Sequence, residues 1–499
     1  MTTISRLQFP IAVAVVCLLA CLPVWIVEYP PLMDWPNHLA RIYIIANYRE
    51  EPAFQHEFVI NSFWRPNVGL DWLGVLLFSF LPAGLVTKTI LSLTLILFVL
   101  GCYALARTLF NAPTAGVLLS AYFVYNTMFL YGFMNYCFGV GLFLVAFAYW
   151  LAYRPLTTWR AVVIGLLSLA CWFVHLTSYG FLLTAAVIAS VLQNTESLKV
   201  RLLRIVPPLA GGIVPSFLYL LDLGQERSIG GLRWEGLTSK MLGVGYLFAT
   251  YDFLVDGLFL GALLVLCLFA YRWGGYVRSR LLLTLVVLLA LVYFVMPTAG
   301  FAGVWAMDRR TVLPALALLL LPLGRLSQGR ERLLLLMTCL LVSARTVWIG
   351  TNWLPLSVQV KDYLSTIQAG VMRAGYVYPV TMLETLDKQQ WIRQMCFRHA
   401  HCYLVPKLHL IPANLFAYAD QHSLRWRRPE IVAAYGEVEP PFPLPEQAID
   451  VQTVANHWDY VVGYRLTPAY LDYLSRHFEL VVHRGDTRVF ATPRASIRR

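Results

Sequence analysis

Residues 70–86 read LDWLGVLLFSFLPAGLV, an apolar run with a carboxylate at Asp71 and a proline at Pro82. Whether it crosses a bilayer decides the orientation of everything that follows it. Eleven other apolar runs approach spanning length: 9–27, 87–106, 113–131, 136–153, 159–175, 179–193, 203–221, 254–272, 280–297, 310–325 and 332–350. A span takes about 20 residues, with about 17 as a floor. Suppose that the N-terminus is cytoplasmic and that 70–86 does not cross. The cytoplasmic ends then carry Arg6, Arg107, Arg154, Arg160, Lys199, Arg201, Arg204, Arg272, Arg278, Arg280, Arg325, Arg330 and Arg332, which is 13 basic residues against the two acids Glu196 and Glu331. The other side receives the remaining 12 acids of residues 1–350. If 70–86 crossed, every later loop would flip and the basic clusters would face outward, against the tendency of Lys and Arg to stay inside. The run is therefore expected to be a re-entrant or interfacial helix on the outer face. The expectation is 11 spans, a cytoplasmic N-terminus and an extracytoplasmic C-terminal domain in the cytoplasmic (inner) membrane.

The composition agrees with a polytopic α-helical membrane protein. Of 499 residues, 59% are hydrophobic and 13% charged, where a soluble domain has roughly 45–50% and about 25%. Disorder, fibrous repeats and a wholly soluble enzyme are excluded. Residues 1–350 hold 23 Lys/Arg and 14 Asp/Glu, whereas the much shorter 351–499 holds 16 and 13. The chain thus divides into a membrane body, 1–351, with a first outer loop at 28–86, and a water-facing domain, 352–499. A second long outer loop is expected at 222–253. The net charge of +12 collects at the ends of apolar runs, so no nucleic-acid partner is inferred. The first run follows Arg6 and contains Leu18-Leu19-Ala20-Cys21, but it continues through Val27 and reads as an uncleaved anchor.

The tail mixes periods. Residues 356–373 suit a helix with Val358, Val360, Tyr363, Leu364 and Ile367 inward. Residues 376–383 and 458–464 read as strands, 467–478 as a helix capped by Thr467, and 479–492 as a hairpin turning at Arg484-Gly485-Asp486. A small α/β domain on the outer face follows. Within it Cys396, His399, His401, Cys402 and His409 lie close in sequence, but their spacing fits no zinc pattern, and a disulfide or plain packing is the simpler reading.

The densest polar cluster is Tyr29-Pro-Pro-Leu-Met-Asp34-Trp-Pro-Asn37-His38-Leu-Ala-Arg41. A helix starting near Pro36 places His38 and Arg41 on one face, with Asp34 at its mouth. The bland reading is an N-cap with snorkelling interface residues; four different polar groups in eight residues favour a site. His175, in FVHLTSYG (173–180), is the one His inside the runs. It is either a functional group or a hydrogen-bonded packing residue. Tyr131, Asn135 and Tyr136, in FLYGFMNYCFG (129–139), offer hydroxyl and amide groups to a ligand, although Tyr at a span end is more often an anchor.

PPLMDWPNHLAR (30–41), the interfacial 70–86 run and LILFVLGCYALARTLFNAPTAGVLLSAYFV (95–124) resemble the GT-C superfamily of integral membrane glycosyltransferases, which includes protein mannosyltransferases and lipid A aminoarabinose transferases. The likeness covers most of 1–350. It implies transfer of a sugar from a polyprenyl-phosphate donor to a glycan, lipid or protein acceptor at the outer face, by an inverting reaction among membrane lipids. Asp34 matches the family acid, with the expected role of general base. The lipid phosphate needs cations, and Arg309 and Arg310 are the first candidates, with Arg41 and Lys88 behind them. His38, His175, Asn135 and Tyr136 complete the expected substrate contacts. The family often carries a second acid beside the first. Here Trp35 follows Asp34, so no cofactor is expected and a divalent metal is doubtful. The alternative is a lipid or glycolipid transporter or flippase, which should show mid-span charges and repeat symmetry; the runs are nearly free of ionisable groups.

A single cysteine introduced between 420 and 490 is expected to react with a membrane-impermeant thiol reagent added outside the cytoplasmic membrane. Labelling only from the cytoplasmic side would overturn the orientation.

Overall fold

A computed structural model describes residues 3–61, 64–111, 114–152, 157–192, 197–222, 231–300, 304–324, 330–383, 388–418, 421–433, 435, 438 and 442–498. Glu226 and Arg227 of the expected second outer loop lie outside these residues. Six described helices are long and apolar enough to cross a membrane: Gln8–Ile26 (within Thr3–Ile26), Ala83–Phe110, Met134–Ala152, Leu198–Asp222, Phe253–Gly274 and Leu333–Gly370 (within Arg330–Gly370). Thr158–Val174, Leu176–Leu192 and Arg280–Val295 are shorter and occupy three more of the expected runs.

Residues 70–86 do not form one element. A ten-residue helix, Gly69–Phe78, ends before Pro82, and a new helix starts at Ala83. At 1.5 Å per residue the first piece spans about 15 Å, half the hydrocarbon thickness. It packs on Trp35–Ala46, the helix of the Asp34 cluster, where Gly74 lies against Ile42.

Two expected spans are broken. Residues 113–131 fold as a helix Ala115–Ser120, a 3-10 stretch Ala121–Tyr125 and a turn of helix Thr127–Leu130. Asn126 interrupts the run because its side-chain oxygen accepts the Met128 and Phe129 amides at 2.9 and 3.2 Å, the local competition for backbone bonds that Asn offers. In 310–325 the α-helix covers Val312–Leu320 alone, nine residues.

The runs are also not free of charge. Arg345 and Asp256, inside the expected spans 332–350 and 254–272, are buried 3.5 Å apart. Asp256 accepts the Thr250 amide and hydroxyl at 2.5 Å each, and Arg345 reaches Tyr122 Oη at 3.0 Å.

The last span does not stop at the membrane domain. Arg330–Gly370 is one helix of 41 residues, about 60 Å long, so the expected boundary at 351/352 falls inside it. Val360, Tyr363, Leu364 and Ile367 are buried as expected, but Val358 is 58% exposed. At 100° per residue Val358 sits opposite the centre of that stripe, which the sequence reading overlooked.

The C-terminal sheet has five strands in the order Ile411–Pro412, Tyr376–Thr381, Tyr460–Tyr464, Thr487–Ala491 and Glu479–Arg484. The first three are parallel and the rest antiparallel. Gly485 turns the hairpin at φ +54°. Thr467 precedes the helix Pro468–His477, but its side chain makes no cap hydrogen bond. A separate two-stranded pairing, Phe58–Ile60 with Leu424–Trp426, ties this domain to the first outer loop. Glu57 reinforces the tie by accepting Tyr376 Oη and Arg428 Nη2, each at 2.7 Å.

Gly101 and Gly141 bring two spans together at the backbone. A Cβ on Gly141 would lie 2.8 Å from the Phe98 nitrogen, and one on Gly101 would lie 2.8 Å from the Gly141 oxygen. Small residues permit this approach between membrane helices. Gly141→Leu is expected to cost about 3 kcal/mol, read as a lowered Tm of the detergent-extracted protein.

Candidate active site

Asp34 stands at the N-terminus of the helix Trp35–Ala46 but does not cap it; its carboxylate makes no cap hydrogen bond. Its backbone is instead clamped by the turn after Asn126. The Met33 and Asp34 amides donate to the Leu130 and Tyr131 carbonyls at 3.3 and 3.0 Å. Gly132 presses on the same peptides at φ +85°, and a Cβ there would meet the Trp35 nitrogen at 2.6 Å. No other residue fits both the backbone angle and the contact.

The carboxylate is buried, 8% exposed, and the C-terminal domain covers it. His399 Nε2 is 3.6 Å from Asp34 Oδ1. Burial pushes the Asp34 pKa up to about 7, with the nearby Arg398 charge pulling the other way. Burial, with Arg398, His401 and His38, holds His399 well below the usual imidazole range, so the ring is neutral.

Asn37, three residues on, locks the two domains together. Its Oδ1 accepts the Phe416 amide at 2.7 Å, and its Nδ2 donates to the Asn414 carbonyl at 2.7 Å and faces His399 Nδ1 at 3.2 Å. Asn414 Nδ2 also faces His399 Nδ1, at 3.0 Å, while its Oδ1 meets His401 Nε2 at 2.8 Å.

Arg41 is buried and committed elsewhere. Its Nε and Nη2 donate to the two oxygens of Asp71 at 3.0 and 2.8 Å. The Ser423 hydroxyl donates to the same carboxylate. His38 Nδ1 lies 3.0 Å from Arg41 Nη2, so the two do share a helix face. Burial and the Arg41 charge hold His38 well below its ordinary pKa. Lys88 is bound to the Trp25 carbonyl at 3.1 Å.

The segment 131–136 joins this cluster to a second one. Tyr131 lies near enough to Asp34 and Arg309 to feel both charges. The Phe133 ring lies under the Arg310 guanidinium, 5.6 Å from its centroid. Asn135 Nδ2 donates to the Asn67 carbonyl at 2.7 Å, so its amide is spent on the first loop. Tyr136 Oη donates to the Arg310 carbonyl at 2.7 Å, and its ring packs on His175 at 5.6 Å. Arg310 Nη1 is 3.1 Å from His175 Nε2. Arg309, by contrast, pairs with both oxygens of Glu235 at 3.0 and 3.2 Å and lies over Trp305. Asp308 steadies this turn through a buried pair with Lys240 at 3.1 Å.

Of the expected residues, Tyr136, His175 and Arg310 thus converge, and Asp34 lies across one turn of chain from them. No local pattern signals that Asp71 partners Arg41, nor that Asn414 reaches Asn37. His399 and His401 stood out only as members of a doubtful metal cluster. Cys396 and Cys402 are buried free thiols. Among the described residues no three His, Cys, Asp or Glu side chains gather as a metal-ligand set. Asp34 and His399 offer two ligands beside the Arg398 charge, fewer than the three protein ligands of a catalytic metal site.

Asp71→Asn leaves the Arg41 charge buried without its partner. It is expected to destabilise by about 3–5 kcal/mol, seen as a lower Tm in detergent, whereas Asp34→Asn is expected to fold normally. Equal thermal stability for Asp71→Asn and the wild type would remove the pair's structural role.

No protein-family model matches this chain, and no curated protein matches it by sequence. Solved structures do resemble it. The crystal structure of ArnT from Cupriavidus metallidurans in the apo state superposes with a TM-score of 0.56 at 12% identity, over 98% of each chain. The same protein bound to undecaprenyl phosphate superposes with a TM-score of 0.57 at 12% identity, over 97% of this chain and 98% of that one. The chain therefore has the fold of ArnT, from its first span through its C-terminal sheet domain.

Proposed function

We propose that this protein is a membrane glycosyltransferase of the GT-C type. It moves a sugar from a polyprenyl-phosphate-linked donor to an acceptor hydroxyl or amine at the extracytoplasmic face of the inner membrane. Asp34 acts as general base. The acceptor oxygen or nitrogen attacks the anomeric carbon as Asp34 takes its proton. The bond to the phosphate oxygen breaks with inversion, and the polyprenyl phosphate leaves with the electron pair. No metal takes part in this scheme.

The observation that carries the reading is the state of Asp34. It is a buried carboxylate, spared from capping, whose pKa of about 7 suits a base working near neutral pH. The second cluster supplies a counterpart. His175 meets donors at both ring nitrogens, the Thr177 amide at Nδ1 (3.3 Å) and Arg310 at Nε2 (3.1 Å). A neutral ring accepts at only one nitrogen, so the site is short of an acceptor, and a phosphate oxygen supplies one. Arg310 is thus the proposed phosphate contact, with His175 and Tyr136 orienting it, while Arg309 is neutralised by Glu235. ArnT bound to undecaprenyl phosphate is consistent with such a donor. The Asp256–Arg345 pair does not favour a transporter, because its groups are held by Thr250, Tyr122 and main-chain carbonyls.

Asp34→Asn is expected to lower transfer from a panel of undecaprenyl-phosphate-linked sugars by about 10²–10⁴-fold. The base must be charged, so wild-type activity should fall as pH drops below about 7. Full turnover by Asp34→Asn would remove Asp34 as the base.

A further inference from the structure

The ring of His399 has only one arrangement of its proton that satisfies its neighbours. Asn37 cannot be turned round, because its Oδ1 receives the Phe416 amide and its Nδ2 donates to the Asn414 carbonyl, both at 2.7 Å. Its Nδ2 therefore presents a donor to His399 Nδ1 at 3.2 Å. Asn414 presents another at 3.0 Å, its own Oδ1 being turned to His401 Nε2. Two amide donors converge on Nδ1, so Nδ1 carries the lone pair. A neutral imidazole then holds its proton on Nε2, the nitrogen 3.6 Å from Asp34 Oδ1.

We propose that His399 is a positioning residue for Asp34. Its Nε2–H, fixed by Asn37 and Asn414, aims at Oδ1 and leaves Oδ2 free to take the acceptor's proton. The proposal rests on reading Asp34 as the base. At 3.6 Å the contact is longer than a hydrogen bond, but inside a buried site the N–H dipole acts on the carboxylate across that distance. A donor aimed at a carboxylate favours its charged form. The other charged or titratable groups around the pair are Arg398 and His401 from the C-terminal domain, His38 from the Asp34 helix and Tyr131 from the turn beneath. None of them occupies the place of Nε2–H against Oδ1.

The test needs no substrate. Asp34 is titrated in the full-length detergent-solubilised protein by the infrared difference between each sample and its Asp34→Asn counterpart, following the protonated carboxyl band. His399→Leu is expected to raise the midpoint by about one pH unit. His399→Gln, which keeps an N–H, should stay nearer the wild type. If His399→Leu does not fold, His399→Phe, which keeps a ring against Phe416 but has no N–H, carries the same test and should move the midpoint the same way. An unchanged midpoint in the folded variant overturns the proposal. Its failure is distinct from failure of the catalytic reading, which is decided by transfer in Asp34→Asn alone.

Discussion

The buried pair between Arg41 and Asp71 holds together the elements around Asp34. One carboxylate takes both nitrogens of the guanidinium fork and the Ser423 hydroxyl. It thereby joins the helix that follows Asp34, the short helix Gly69–Phe78 and the C-terminal domain. A charge removed from water is costly unless it is paired and hydrogen-bonded. The three elements therefore have few ways to sit relative to one another, and Asp34 inherits its position from that restriction.

This explains why an uncommitted carboxylate sits at this point. The N-terminus of a helix normally draws an acidic side chain into capping, yet the Leu130 and Tyr131 carbonyls hold the preceding backbone and Gly132 fills the space beside it. Asp34 is left facing the cover supplied by Arg398, His399 and Asn414. The C-terminal domain is thus a wall of the candidate site, joined to the first loop by a strand pairing, by Glu57 and by Asn37.

Much of this was legible in the sequence and some was not. Proline at 82 marked the break in 70–86, because it acts locally. The tail strands were visible from their alternation and turn residues. The bond partners were not. Arg41 and Asp71 lie 30 positions apart, and Asn37 and Asn414 lie 377 apart, and no local pattern links such pairs. Asn126 reads as one polar residue in an apolar run; that its side chain breaks the helix follows only from the amides it receives. Arg309 and Arg310 are equivalent as neighbours in sequence. A 3-10 turn separates them, sending one to Glu235 and the other to His175.

The helix Arg330–Gly370 couples the C-terminal sheet to the membrane domain. Its first half lies among the spans and its last turns pack on the sheet strands, where Gly370 touches Val482 and Val489. Over about 60 Å, a tilt of about 5° at one end, or a bend of that size near Pro355 inside the helix, displaces the far end by several ångströms. Packing against neighbouring helices sets the tilt of such a span, so a change in that packing reaches the domain that roofs Asp34 as a movement.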